Sequence, residues 1–312
     1  MATTTSTTDA ATSTRQREPA SQDSASRRRQ KVYPLWFYLP AAVVFIGLFL
    51  VPTIVSFFFS LTRWTLFDWH FIGLDNFVAF FQEDALTKGL VNTLIYAFVT
   101  CVLKVVIGMA LALLLTSQII GRPFLRSVAF FPVLVSAIGI GITFQVLLNP
   151  DTGMVNRALA VVGIQGPAWL VDTKTALLSV AMVDVWKGVG LAMVIFIAGI
   201  VTIPGEYVEA AKVDGASRWQ VFRNVILPLM RPATATVIIL SLIGGLRSFD
   251  LIWSMTKGGP GFTTDVIASV IYKQYQAGFY GLSTAGNVIL FLLVTVIVVP
   301  LFWVLNRGEV DR

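Results

Sequence analysis

Six stretches of predominantly apolar residues alternate with polar segments along the chain, at 35–61, 90–116, 127–148, 176–203, 233–255 and 284–306. About 20 such residues carry an α-helix across the hydrocarbon core of a bilayer. A backbone in lipid must satisfy its own polar groups, and a helix does this within one segment. The pattern therefore predicts an all-α polytopic membrane protein with six transmembrane helices. Pro40 and Pro52 fall inside the first segment, which membrane helices tolerate when neighbours satisfy the freed carbonyls. Trp36, Phe37, Tyr38, Trp64, Trp69, Trp253 and Trp303 crowd the ends of the segments, as interfacial aromatic belts do.

Composition agrees with the pattern. Of the 312 residues, 56% are hydrophobic and 13% charged, against about 25% charged in soluble domains. Cys101 is the single cysteine, so no internal disulfide can form. The net charge of +6 could suit nucleic acid, but in a membrane protein it reads as topology and no nucleic-acid partner is expected. With six spans both termini share one side. That side holds Arg15, Arg17, Arg27, Arg28, Arg29, Lys31, Arg122, Arg126, Lys212, Arg218, Arg223, Arg231, Arg307 and Arg312. The other side holds Arg63, Lys88, Arg157, Lys174, Lys257 and Lys273. The positive-inside rule places both termini and the 204–231 segment in the cytoplasm.

Residues 1–34 are rich in Thr, Ser, Ala and Arg and cannot bury a core. They read as a disordered cytoplasmic tail, leaving 35–312 as the membrane domain. A cleaved signal peptide needs an early apolar run, which the tail lacks. An organelle transit peptide is the alternative, against which Asp9, Glu18 and Asp23 weigh.

The segment 204–231, between the fourth and fifth spans, mixes Glu206, Glu209, Lys212, Asp214, Arg218 and Arg223 with Tyr207, Val208, Val213, Trp219, Val221, Phe222 and Val225. That mix suits short amphipathic helices at a surface. Pro204 suits a first helical turn. Gly215 suits the left-handed position after a helix end. Ser217 with Gln220 is a capping-box pattern opening a second helix, which Pro228 is expected to end. Helix, glycine turn and helix make a knob facing water, with Ala210 and Ala211 leaving one side flat enough for another protein's backbone. The plainer reading is a helix lying on lipid headgroups.

Five ionisable residues fall within spans: Lys104, Asp184, Lys187, Arg247 and Asp250. Such groups are costly in a membrane and default to functional roles. Asp184 with Lys187, and Arg247 with Asp250, are spaced i,i+3, so each pair can neutralise itself on one helix face. At about 1.5 Å per residue both pairs fall at similar depth, which predicts a four-charge layer joining the fourth and fifth spans. Lys104 has no helical partner and must find one across a helix interface or face water. Charge neutralisation that fixes packing and direct contact with a solute are the two readings of this layer. Proton coupling is a third, but it wants a lone titratable carboxylate and matched broken helices.

The segment Glu209-Ala210-Ala211, three residues, Gly215, nine residues, Val225, one residue, Leu227-Pro228 resembles the EAA loop of ABC importer permeases. Ile203-Pro204 and Asp214-Gly215-Ala216 around it are similar to the carbohydrate branch, the maltose and glycerol-3-phosphate type. So are Phe71-Ile72-Gly73-Leu74-Asp75-Asn76-Phe77, Asn92-Thr93, Asn149-Pro150-Asp151-Thr152-Gly153 with Asn156, and Thr256-Lys257-Gly258-Gly259-Pro260 with Thr264. The resemblance covers about 35–306. It implies that the loop is a coupling helix seated on a separate ATPase, with Glu209 as a contact and Gly215 as the turn. It implies as partners a second related permease, an ATPase dimer, an extracytoplasmic solute-binding protein and a sugar, a di- or oligosaccharide or a related polyol or glycerophosphate. The setting it implies is the bacterial plasma (inner) membrane.

The chain has no G-x-x-x-x-G-K-[ST] phosphate loop. ATP and Mg are therefore expected on the partner ATPase, with no cofactor on this chain. The resemblance puts the substrate path on the fourth and fifth spans. Ser241, Gly245 and Ser248 share a face there, with Asp250 nearby, and Trp186 and Gly188 lie on the fourth span. Gly188 and Ser241 match the family's contact positions in type, while Gly245 and Leu191 depart from them. The plainer reading of these small residues is helix packing. The loops 62–89, 149–175 and 256–283, with Trp64, Trp69, Trp169 and Tyr275, are candidates for docking an external binding protein, and His70 reads as surface. A self-contained transporter or channel is the alternative function. An enzyme is disfavoured, since one histidine and one cysteine leave little for nucleophile or metal chemistry.

Overall fold

The computed structural model describes residues 35–65 and 67–306. The expected cytoplasmic tail, 1–34, lies outside them, as do Arg307 and Arg312. By internal contacts the chain divides at Val51/Pro52. The described part of the first unit, residues 35–51, is helical throughout. It belongs to the apolar helix Trp36–Phe59 (α1).

From Pro52 onward the elements are β1 (Thr62–Trp64), β2 (Trp69–Phe71), α2 (Asp75–Gln82), α3 (Asp84–Thr116), α4 (Arg122–Leu134), α5 (Ala137–Leu147) and α6 (Met154–Val161). They continue as α7 (Ala176–Val201), α8 (Gly205–Val213), α9 (Arg218–Leu229), α10 (Arg231–Leu246), α11 (Asp250–Met255), α12 (Ile267–Gln276) and α13 (Tyr280–Asn306). Helices α1, α3, α7 and α13 are long and apolar enough to cross a membrane on their own. The count rises to six if the bent pairs α4–α5 and α9–α10 are each one span.

Three expectations change here. The fold is not purely helical, because β1 and β2 pair antiparallel with Arg63 opposite His70. The third apolar segment is not a straight span, since α4 and α5 meet at 98°. Pro132 lies in the last turn of α4, and Val135 beyond it is extended. Proline removes an N–H and disfavours continuation of the helix, so the segment turns there. The fifth segment is not one helix either. It stops at Leu246, and residues 247–249 are non-helical before α11. Gly244 and Gly245 precede the break, and glycine is a weak helix former. Gly245 also packs so closely on α3 that a Cβ there would sit 2.6 Å from Ala97 Cα.

The family-like motifs outside 204–231 are loop clamps. The Asn76 amide donates to the carbonyls of Ser60 and Thr62, both at 2.8 Å. The Asn92 amide donates to Phe262, Thr263 and Asp265 carbonyls at 3.3, 3.1 and 2.9 Å. The Thr93 hydroxyl accepts from the Ile267 N–H at 2.9 Å. Asn149 Oδ1 accepts two backbone N–H groups, those of Asp151 and Thr152, at 3.0 Å each. Trp169 donates to Asn156 Oδ1 at 2.6 Å. Thr256 and Thr264 share a hydroxyl–hydroxyl bond at 2.7 Å, around a cis Gly259–Pro260 peptide.

Two of the three apolar clusters among the described residues bear on the site. Tyr96, Ile140, Val180, Val183, Leu251, Ile252 and Met255 form one. Met109, Ala112, Met193, Phe196, Met230 and Val237 form the other. Along α3 the first cluster ends at Val99 and the second begins at Val105. The interval between them is where Lys104 meets Asp184.

Candidate functional site

The segment between α7 and α10 forms the two helices and the glycine turn that the spacing predicts. Pro204 stands at the N-cap of α8, one place before the first turn where it was expected. Glu206 in the first turn and Lys212 in the last each oppose the helix dipole. The helix closes with the Gly215 N–H on the Lys212 carbonyl and the Ala216 N–H on the Ala211 carbonyl, both 3.0 Å. This is a Schellman closure, which needs a left-handed residue after the helix. Gly215 supplies it at φ +80°. A Cβ there would meet nothing within 4 Å, so the backbone angle and not space demands glycine.

The Ser217 backbone N–H donates to Gln220 Oε1 at 2.7 Å, and the Gln220 N–H donates to Ser217 Oγ at 3.3 Å. This is the predicted capping box. Pro228 does not end the helix, however. The turn Phe222–Ile226 widens to i→i−5 bonding, with the Leu227 N–H on the Phe222 carbonyl. A proline has no N–H to offer an i→i−4 ladder, and the wider turn just before it lets the helix run on to Leu229. The chain then bends by 70° into α10. Glu209, Ala210, Leu227 and Pro228 are exposed and Ala211 is half-buried. Tyr207 and Trp219 are 56% and 66% exposed, a large apolar display on a knob. Its base is the reverse: Phe222, Ile226 and Met230 pack with Met109, Met193 and Phe196 of α3 and α7.

The membrane charges assemble differently from the expected layer. Lys104 Nζ lies 2.8 Å from Asp184 Oδ2, across the α3–α7 interface, with side chains 9% and 16% exposed. The cross-helix partner that Lys104 required is therefore Asp184. Asp184 does not pair with Lys187, and Arg247 does not pair with Asp250; neither contact occurs among the described residues. In the first case Asp184 faces α3, where the stronger partner sits. In the second the break at 247–249 removes the common helix face. Gly188 belongs to the same arrangement, since a Cβ there would come 2.7 Å from Lys104 Cε.

The Tyr96 hydroxyl completes this layer, and the sequence reading missed it. Tyr96 is fully buried, and among the described residues its hydroxyl has no hydrogen-bond partner. Asp184 and Ser248 are the polar groups beside it. Tyr96, Thr100 and Lys104 recur every four residues, one face of α3; that periodicity was the available signal. The structure thus gathers Lys104, Asp184, Gly188 and Ser248 and leaves the other candidates apart. Trp186 is half-exposed and lies against Phe144 of α5, ring centres 5.3 Å apart. Ser241 is half-buried on α10, about two turns before Ser248. Asp250 is exposed at the start of α11. No cluster of three or more His, Cys, Asp or Glu able to hold a metal exists among the described residues.

Comparison with known proteins bears on this arrangement. Residues 104–307 match the family described as "Binding-protein-dependent transport system inner membrane component". The chain is 35% identical to the probable ABC transporter permease protein y4oQ of Sinorhizobium fredii, over 91% of this chain and 94% of that protein. It is 31% identical to the trehalose/maltose transport system permease protein MalF of Thermococcus litoralis, over 82% and 88%. A bacterial ABC transporter involved in importing the acidic polysaccharide alginate contains a chain of the same fold, with TM-score 0.77, 25% identity, and coverage of 87% of this chain and 94% of that one. The chain therefore belongs to the family of inner-membrane components of binding-protein-dependent transport systems, and is an ABC transporter permease embedded in a membrane.

Proposed function

We propose that the chain is one permease of an importer that moves a di- or oligosaccharide across the bacterial inner membrane by alternating access. In this reading it crosses the membrane six times, the α4–α5 and α9–α10 pairs each counting once, with both termini cytoplasmic. Residues 1–34 are a cytoplasmic tail and 35–312 the membrane domain. ATP and Mg bind a separate ATPase dimer. An extracytoplasmic binding protein delivers the sugar, and a second, related permease completes the pathway as a heterodimer.

The single observation that carries this reading is the α8–α9 knob. It exposes Glu209, Ala210, Tyr207 and Trp219 while its base packs into the Met109–Met193–Phe196 cluster. A side exposed to a partner and a base inserted between helices is what a lever needs. Glu209, Ala210, Ala211, Gly215, Leu227 and Pro228 form its ATPase-facing part. Closure of the ATPases then shifts α9 and with it α3 and α7, a rigid-body switch between two membrane states.

The substrate path is assigned to α7, α10 and the break after α10, with Trp186, Gly188, Ser241, Ser248 and Asp250 beside it. The trehalose/maltose relative supports the sugar class. In proteoliposomes holding both permeases, the ATPase and the binding protein, Glu209→Lys should abolish sugar uptake and the stimulation of ATP hydrolysis by liganded binding protein. Uptake at the unaltered rate contradicts the proposal.

A further inference from the structure

A cleft of about 260 Å³ opens between α5 and α11, at the end of α10 remote from the knob. Its wall is aromatic. Phe249 and Trp253 lie nearly parallel, 5.6 Å between ring centres and 16° between planes. Tyr272 of α12 meets both edge-on, at 5.3 and 4.9 Å, and so fixes their orientation. Gln145, Asp250, Ser254 and Lys257 complete the lining together with aliphatic side chains.

The polar groups are unspent. Among the described residues the side chains of Gln145, Asp250 and Lys257 have no hydrogen-bond or ion-pair partner. Ser254 donates to the Asp250 carbonyl at 2.6 Å and keeps its acceptor lone pairs. An acid, a base and an amide facing one cleft within an apolar protein are the groups that line water-filled cavities and not lipid. Lys257 is also the one non-glycine residue with positive φ, at +52°, among the described residues. Its N–H closes the end of α11 on the Ile252 carbonyl at 3.0 Å. A side chain at this position, where glycine is the ordinary choice, is backbone strain of the kind that clusters at ligand sites.

We infer that this cleft is an outer subsite for one neutral hexopyranose ring of the transported saccharide, with the Trp253–Phe249 wall against its apolar C–H face. Asp250 and Lys257 hydrogen-bond its hydroxyls, with Gln145 at the rim. The opposite charges of Asp250 and Lys257 leave the site without net charge, which suits a neutral ring and disfavours a polyanion. The volume takes one ring, so the remainder of an oligosaccharide extends from the cleft toward the Ser248 break. This inference rests on the sugar-import reading above and adds a place on this chain where the sugar pauses.

The test uses the assembled complex in nanodiscs, with Cys101→Ser and a single new cysteine, Gln145→Cys, at the rim. A membrane-impermeant methanethiosulfonate reagent is followed with and without methyl α-glucopyranoside, N-acetylglucosamine or maltotriose at tens of millimolar. We expect Gln145→Cys to react readily, and at least one of these sugars to slow its labelling about threefold or more. Adding Trp253→Ala should remove that protection. A cysteine at Asp151, in the neighbouring loop, should react at a rate no sugar changes. A Gln145→Cys that does not react, because the second permease or lipid covers the cleft, overturns the subsite. So does labelling that none of the sugars slows. Stimulation of ATP hydrolysis by liganded binding protein is measured in parallel. If stimulation persists without protection, only the subsite falls; if stimulation is absent, the import reading falls and takes the subsite with it.

Discussion

Removing one member of the Lys104–Asp184 pair leaves the other charge in a site that side chains and helices largely close to water. Breaking a buried pair is far more damaging than deleting both charges, about 3–5 kcal/mol against near neutrality in soluble proteins. Lys104→Met or Asp184→Asn alone should therefore lower the yield of assembled complex in detergent, measured by size exclusion. The double variant Lys104→Met/Asp184→Asn should recover most of it. No recovery would show that Asp184 acts on something other than Lys104. Asn92 supports a second residue-scale prediction. Its amide holds three carbonyls of the 262–265 loop, so Asn92→Ala should cost roughly 1–2 kcal/mol locally. Amide exchange at 263–267 should then rise about tenfold, read by mass spectrometry. The type of each of these residues was visible in the chain, but not its partner. Lys104 announced that it needed a cross-helix counter-ion. That the counter-ion is Asp184 depends on which face α7 turns to α3, and the nearer Lys187 masked it. Gly188 shows the same limit: its lack of a Cβ reads equally as packing space or substrate room, and only contact with Lys104 decides.

Elements whose cause is local were legible in the sequence. The Gly215 turn and the Ser217–Gln220 box depend on a few adjacent residues, and both occur where spacing puts them. The angle between α4 and α5 and the break after Leu246 depend instead on what packs alongside, so apolar length alone read them as straight spans. The base of α9 gives a prediction at this scale. Phe222 joins the knob to Met193 and Phe196, and truncating a packed aromatic typically costs about 3–5 kcal/mol when fully buried. Phe222 is only half-buried, so Phe222→Ala should leave the complex assembled. It should loosen the lever, raising the ATP hydrolysed per sugar imported at least severalfold in proteoliposomes. An unchanged ratio would place force transmission elsewhere.

At the scale of the whole molecule the design separates jobs by depth. The loops far from the knob are stitched by Asn76, Asn92, Asn149 and Asn156. The polar layer of Lys104, Asp184 and Tyr96 divides one apolar cluster from the other, and α9 enters the cluster nearest the knob. Packed cores shift between discrete arrangements, so the proposed switch is expected to move linked helices. The account stands on power delivered through 204–231. The most direct test is sugar uptake by a reconstituted complex carrying Glu209→Lys together with Gly215→Val. The second change forces a β-branched residue into the left-handed backbone at φ +80°, a local cost of roughly 1–2 kcal/mol. Uptake should fall to background while both permeases still co-purify. Uptake at the unaltered rate, or uptake by the permeases without any ATPase, would contradict the account.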